Sequence, residues 1–286
     1  FFFTQKTAYE IASCLVGLGD VYKRQMYIFV ALFAPWLAPY GESQVFPAPY
    51  EPWSKEFIFG TDQIGRDILS RMIYGARITV GIAVATTALA FLIGGVLGLA
   101  AAIAKGWVDQ LLSRLVDALM AIPSLIFALV LLSIFGTNVI NLIMIIAILD
   151  STRVFRLTRA VSLNVVVMDF VEAARLRGEG LAWIMRREIL PNILPPLVAE
   201  FGLRFCYVFL MIASLSFLGV GIQPPTADWG SMVRETGELI QFAQYDIKAA
   251  MTPILPAAAI GILTIGVNFV VDWFLYLTSV LKDEHK

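Results

Sequence analysis

Asp169 and Glu172 open a 25-residue polar stretch, MDFVEAARLRGEGLAWIMRREILPN (residues 168–192), in a chain that is otherwise strongly apolar. Carboxylates three residues apart at the head of a helical pattern make a capping box: the first accepts from a free backbone N–H and the second reaches back. The spacing predicts a short helix from Asp169. Ala173 and Ala174 leave a low-relief face on which another protein's surface can approach closely, and Gly178 and Gly180 let the backbone turn out of the helix. A second helix from about Leu181 places Leu181, Ile184, Met185 and Ile189 on one face, with Arg186, Arg187 and Glu188 elsewhere. Leu190 follows, and Pro191 marks the end. The chemistry of such a stretch is surface recognition, not bond-making. An interfacial helix pair that merely joins two spans fits the periodicity equally well.

A second group of polar residues stands inside or beside runs that are otherwise apolar. Each ionisable side chain there costs about 2.5–3.5 kcal/mol at the centre of a membrane helix. Glu200 and Arg204 are spaced i, i+4 for mutual neutralisation, serving either as a self-satisfied pair facing the protein interior, or on a polar path across the membrane or a contact with a second membrane subunit. Asp150 and Asp272 carry the same two readings. Arg153, Arg156 and Arg159 are most simply inner-interface anchors, with shaping of the cytoplasmic mouth as the alternative.

No constellation for catalysis accompanies these groups. The single histidine is His285, no GxxxxGK[ST] phosphate loop is present, and no Ser/His or metal-ligand cluster lies in the spans. The expectation is of a non-enzyme with no catalytic residue, no metal site and no cofactor of its own. Cys206 reads as packing inside a span.

The elements that must position these residues are membrane helices. With 59% hydrophobic and 15% charged residues and a mean hydropathy of +0.79, the 286-residue chain lies outside the range of soluble domains. Uncharged runs predict spans at Ile78–Ala104, Ala118–Phe135, from Val139, around Ile193–Ile222, and at Ala249–Val280. A sixth, Met26–Ala38 within residues 26–40, is too short to cross and reads as a truncated first helix. Residues 1–25 contain FFFTQKTAYEI and DVYKRQ, which resemble translated sequencing-adapter DNA, and are read as non-native. Residues 41–77 read as an extracytoplasmic loop leading into a short amphipathic helix, where Asp62, Arg66 and Asp67 form a local ion-pair network or meet an incoming extracytoplasmic partner. Trp229, after Pro224 and Pro225, fits an interfacial aromatic anchor. Residues 78–286 form the main transmembrane domain. Eleven Lys and Arg lie on the side holding residues 168–192, against six on the other, so that loop and both termini are assigned to the cytoplasm.

Four segments in order carry a resemblance: EAA at Glu172–Ala174 with Gly178 and ILPN at Ile189–Asn192, FGTDQIGRDILSRMIYGARITVG at Phe59–Gly81, SLSFLGVGIQPPTADWG at Ser214–Gly230, and NFVVD at Asn268–Asp272. Over residues 26–286 the chain resembles the C-type permease subunit of the dipeptide, oligopeptide and nickel branch of ATP-binding-cassette importers. The resemblance implies an all-α, six-helix type I importer permease in a bacterial or archaeal cytoplasmic membrane. It implies that residues 168–192 insert into a groove on a cytoplasmic ATPase, with Asp169, Glu172, Ala173, Ala174, Gly178, Ile189, Leu190 and Pro191 in the coupling contact. The partners it implies are a related but non-identical second permease, two ATPases that bind ATP and magnesium, an extracytoplasmic substrate-binding protein and membrane lipid, with no nucleic acid. Peptides are the branch's commonest cargo, with nickel, opines and glycosides as alternatives. The chain departs from the pattern at Ile212, where many relatives are acidic, and in LDSTRVFRLTR. The competing reading is an ATP-independent secondary transporter or channel subunit.

Overall fold

The computed structural model describes residues 34–104 and 106–283, with side chains described to Phe269 and at Val271. The segment 1–25, most of the candidate span Met26–Ala38, the side chain of Asp272 and His285 lie outside the described residues. Among the described residues the fold is helical, and its only extended pairings are two isolated bridges, Val45 with Arg66 and Thr61 with Asp67.

After a single helical turn at Ala34–Leu37, the α-helices are α1 (Ile68–Ala104), α2 (Gly106–Met120), α3 (Ser124–Phe135), α4 (Val139–Val166), α5 (Asp169–Leu176), α6 (Leu181–Ile184), α7 (Leu190–Phe217), α8 (Trp229–Thr236), α9 (Ile247–Met251) and α10 (Ile254–Asp283), with a 3-10 helix at Gly237–Gln244 between α8 and α9. Three stretches are long and apolar enough to cross a membrane: Ile68–Ala104, Leu181–Phe217 and Ile247–Phe269. A fourth is present if α2 and α3 count as one broken span, against the five clear spans read from the sequence. The span expected to run unbroken over Ala118–Phe135 is corrected: α2 stops at Met120 and α3 leaves it at 88°. Pro123 stands at the cap of α3 and has no N–H to continue the earlier ladder. α4 is 28 residues long, but it carries Asp150, Arg153, Arg156 and Arg159. No separate amphipathic helix precedes Ile78, because α1 begins at Ile68 and runs straight on.

The chain divides into two compact units, one of Ala83–Val208 and the other of the residues up to Ile82 with those from Phe209 onward. In Ala83–Val208, α1 packs on α4 through glycines. A Cβ on Gly98 would stand 2.8 Å from both the Phe155 carbonyl and the Thr158 Cβ, and one on Gly94 would overlap Ser151 and Val154. The G-x-x-x-G spacing thus removes side chains where the two backbones must meet. α2 lies against α4 through Val116 and Phe155, together with Ala101 of α1. The Arg159 guanidinium grips both Asp109 carboxylate oxygens, Nη2 to Oδ2 at 2.6 Å. Asn138 caps α4, accepting from the Asn141 N–H at 2.7 Å.

In the other unit the segment before α1 is irregular but well tied. Tyr40, Phe46 and Phe57 stack with ring centres 4.9–5.7 Å apart. Asp62 and Glu235 hold two arginines between them: Arg66 lies 2.7 Å from Asp62 and 3.1 Å from Glu235, and Arg71 lies 2.7 Å from each. All four side chains are buried, so the local network read from Asp62 and Arg66 is real but extends to Arg71 and Glu235. Asp67 instead caps α1, accepting from the Ser70 N–H at 2.8 Å. Trp229 is no interfacial anchor: it is buried and donates Nε1–H to the Met72 carbonyl at 2.9 Å. α7 ends at Phe217, short of the run expected to reach Ile222, because Gly219 takes φ +87°. There Gly219 N–H reaches Ser216 O and Val220 N–H reaches Leu215 O, a Schellman termination.

Candidate functional site

Residues 168–192 form the two-helix shape expected, with differences in how it is held. α5 begins at Asp169, but Met168 is the capping residue and no side-chain cap bond is made. The capping box is therefore not formed. Asp169 sits one position inside the helix, where its charge and that of Glu172 still favour the positive end of the helix dipole. The exit from α5 is a Schellman motif, with Gly178 N–H donating to Arg175 O at 2.9 Å and Glu179 N–H to Ala174 O at 3.2 Å. Gly178 has φ +81°, a left-handed conformation that only glycine adopts without cost. Gly180 has ordinary extended angles and precedes α6. Arg177 and Glu188 close the pair with a salt bridge of 3.6 Å.

Pro191 does not end the second helix. A π-type turn over Met185–Ile189 joins α6 to α7, and the helix continues from Leu181 to Phe217. The wider turn separates the carbonyls that a regular helix would press against the Pro191 ring, and Asn192 Nδ2 donates to the Glu188 carbonyl at 2.6 Å. The loop is thereby continuous with a membrane helix.

Burial divides the loop residues into two sets. Val171, Ala174, Ile184, Ile189, Ile193 and Leu197 form one core with Leu99 of α1 and Val165 and Val166 of α4, and Leu190 packs against it. The expectation that Ala173 and Ala174 share an open face is corrected: Ala174 is fully buried and only Ala173 is exposed. Leu181 also leaves the face assigned to it and stands 61% exposed. Asp169, Glu172, Ala173, Gly178 and Pro191 are exposed. Beside them stand Leu176, at 83% exposure, Phe170 and Trp183, among Arg175, Arg177, Arg186 and Arg187. An apolar ridge edged with arginines can seat a partner's groove without disturbing the core beneath it.

Three of the four polar residues singled out within or beside the apolar runs come together. Arg204 Nε donates to Glu200 Oε1 at 2.6 Å, as the i, i+4 spacing implies, and Arg204 Nη1 lies 3.6 Å from Asp150 Oδ1 on α4. The guanidinium also lies over the Tyr207 ring, 4.7 Å from its centre, and Arg153 stands 5.8 Å from the same centre. Asp150 Oδ2 and Arg204 Nη1 are buried with no hydrogen-bond partner among the described residues. Sequence reasoning missed Arg153 and Tyr207 as members, although both share the helical faces of Asp150 and Arg204 at i, i+3. It also missed Gly94 and Gly98, for which the G-x-x-x-G spacing was a readable signal.

Apolar helices long enough to cross a membrane, with a rigid two-faced loop continuous with one of them, define a multi-pass membrane protein of the permease type. The chain belongs to the family described as binding-protein-dependent transport system inner membrane component, which it matches over residues 94–279. It is 36% identical to the di/tripeptide transport system permease protein DppC of Pseudomonas aeruginosa strain UCBPP-PA14 over 90% of this chain and 87% of that one. It is 38% identical to the dipeptide transport system permease protein DppC of Escherichia coli strain K12 over 86% of this chain and 82% of that one. A crystal structure of an amino acid ABC transporter with histidines superposes at a TM-score of 0.49 and 24% identity, covering 72% of this chain and 93% of that chain.

Proposed function

We propose that this chain is one of two permease subunits of an importer that carries di- or oligopeptides inward across a bacterial or archaeal cytoplasmic membrane, driven by separate ATPase subunits. The cargo is argued from the relatives, whose printed names are those of dipeptide and di/tripeptide permeases. Six spans are too few to enclose a path for such a solute, and a related second permease completes it. ATP and magnesium bind in the ATPases, and a substrate-binding protein delivers cargo from outside. Family membership weighs against a secondary transporter working alone.

The observation that carries the coupling is the division of residues 168–192 between a buried and an exposed face. Their apolar inner face is committed to α1 and α4, while Leu176, Leu181, Phe170 and the exposed Glu172 and Ala173 stand free for the cytoplasmic ATPase. A push on this ridge passes into α7 through an unbroken helix, so closure of the ATPases moves a membrane segment. Asp169, Gly178 and Pro191 shape and flank that surface, and Ala174, Ile189 and Leu190 hold it rigid from below. Affinity purification of the chain expressed with its neighbouring genes should retain an ATPase, and proteoliposomes should take up dialanine only with ATP. Dialanine uptake by this chain alone, without ATP, would overturn the assignment.

A further inference from the structure

The 3-10 helix Gly237–Gln244 buries none of its residues, yet its side chains are sorted. At about three residues per turn, positions i and i+3 stand one above the other. Tyr245 N–H donates to the Phe242 carbonyl at 2.9 Å, which carries this repeat one residue further. Glu238, Gln241 and Gln244 therefore form one row, Leu239, Phe242 and Tyr245 the next, and Ile240 and Ala243 the third. The first row is wholly polar; the other two are apolar or aromatic and carry no charge. They are also open: Ile240 is 54% exposed, Phe242 53% and Tyr245 87%. An element sorted in this way over no core turns its apolar rows toward a membrane or a protein.

The residues that follow decide between the two. Asp246 caps α9, accepting from the Lys248 N–H at 2.9 Å, and Ile247 opens a stretch, Ile247–Phe269, long and apolar enough to cross a membrane. After Lys248 no charged residue appears until Asp272. The 23 residues of that stretch measure about 35 Å at 1.5 Å per residue, slightly more than a hydrocarbon layer of about 30 Å. Asp246 and Lys248 thus mark the membrane–water boundary, and residues 237–245 lie beside it. The element is held at both ends, running into the span at one and fixed at the other by Glu235, which is buried against Arg66 and Arg71. At about 16 Å in length it presents far less than the roughly 800 Å² that each side of a stable protein interface contributes.

We propose that residues 237–245 are an interfacial anchor whose partner is lipid, lying along the bilayer surface at the Ile247 end of the span. Ile240, Phe242 and Ala243 sit against the upper acyl chains, and the Tyr245 ring stands at headgroup level, where an apolar body with a polar tip is favoured. Glu238, Gln241 and Gln244 face water. The anchor sets the height of the span in the bilayer and, through Glu235, that of the buried cluster of Asp62, Arg66 and Arg71. Trp53, which donates to Thr252 Oγ1 at 3.3 Å near the head of the same stretch, ties the segment before α1 to that level. The proposal rests on Ile247–Phe269 crossing the membrane and not on the peptide cargo.

The test uses the assembled transporter in nanodiscs of phosphatidylethanolamine and phosphatidylglycerol, doped with phosphatidylcholine carrying a nitroxide near the top of its acyl chains. In a Cys14→Ser, Cys206→Ser background, Gln241→Cys, Phe242→Cys, Gln244→Cys and Tyr245→Cys are labelled singly with bimane. Lipid nitroxide should quench the label at Phe242→Cys and Tyr245→Cys more than aqueous iodide does, and the order should reverse at Gln241→Cys and Gln244→Cys. Adding Phe242→Glu to Tyr245→Cys should shift the label from nitroxide toward iodide quenching, because a charge in the apolar row lifts the element off the lipid. Iodide dominance at all four positions, equal nitroxide quenching at all four, or shielding of Phe242→Cys and Tyr245→Cys from both quenchers by a protein partner would overturn the anchor. Labels at Ile254→Cys, Ile262→Cys and Ile265→Cys, which replace exposed residues of the span, report on the span itself. Absence of nitroxide quenching at all three would overturn the span, and this inference with it.

Discussion

Replacing Gly178 separates two reasons for having a glycine there. At φ +81° an L-residue carries a conformational cost of about 1–2 kcal/mol. A Cβ at this position would meet no atom within 4 Å, so within this chain no steric overlap adds to that cost. Gly178→Ala should weaken the Schellman turn by that amount, raising the open population of the Gly178 and Glu179 amides about 5–30-fold. Hydrogen exchange on the complex in nanodiscs would read this as lost protection at those amides, with α4 unchanged, alongside reduced ATP-driven uptake. Asn enters the left-handed region more readily than Ala. If the turn alone matters, Gly178→Asn should exceed Gly178→Ala in uptake; if an ATPase surface packs against the open space, the bulkier Asn should do worse. Gly178→Arg should insert normally and lose coupling. Unchanged protection and uptake in Gly178→Ala would refute the argument from the turn, and full ATP-driven uptake in Gly178→Arg would refute docking at this point.

Gly98→Ala should lower stability by about 1–3 kcal/mol through overpacking against α4, whereas Gly95→Ala, where an added Cβ meets nothing within 4 Å, should be close to neutral; thermal midpoints in detergent compare them. Glu235→Gln leaves Arg66 and Arg71 sharing one carboxylate and should cost about 3–5 kcal/mol, seen as a marked fall in the same midpoint. Burial pushes the Asp228 carboxyl above its ordinary range, although Ser231 donates to it. Its stabilising contribution is therefore fullest below the ordinary carboxylate pKa and is lost as pH rises through the raised value, so Asp228→Asn should gain on wild type between acid and neutral pH and show a flatter profile. Ala174→Leu should lower stability by about 1–3 kcal/mol, while Ala173→Leu should leave the midpoint unchanged and impair ATPase retention on co-purification.

Elements governed by local chemistry were legible in the sequence. Helix, glycine turn and second helix in residues 168–192 follow from a 3.6-residue period and one residue that accepts positive φ, and the Glu200–Arg204 pair follows from its spacing. What depends on register or on distant partners was not. A capping box differs from an acidic first turn by one residue, and only the backbone angles of Met168 and Asp169 decide between them. Pro191 reads as a stop because the π turn that accommodates it has no signature in residue type. Trp229 reads as an interfacial anchor until its Nε1–H is found on Met72, 157 positions away. Arg71 and Glu235 are likewise 164 positions apart.

The two alanines of EAA show why a motif and its mechanism are different things. Both are small, and sequence alone gives them one explanation, close approach of a partner. In the folded loop one is exposed and the other buried. Ala174 is small because Val171, Ile184 and Ile189 must close over it onto α1 and α4, whereas Ala173 is exposed between Glu172 and the ridge at Leu176. On the proposed coupling, force transmission would need both, since a docking surface that yields beneath its partner moves nothing: the buried alanine would supply stiffness, the exposed one access, and the unbroken helix from Leu181 to Phe217 would convert the two into movement within the membrane.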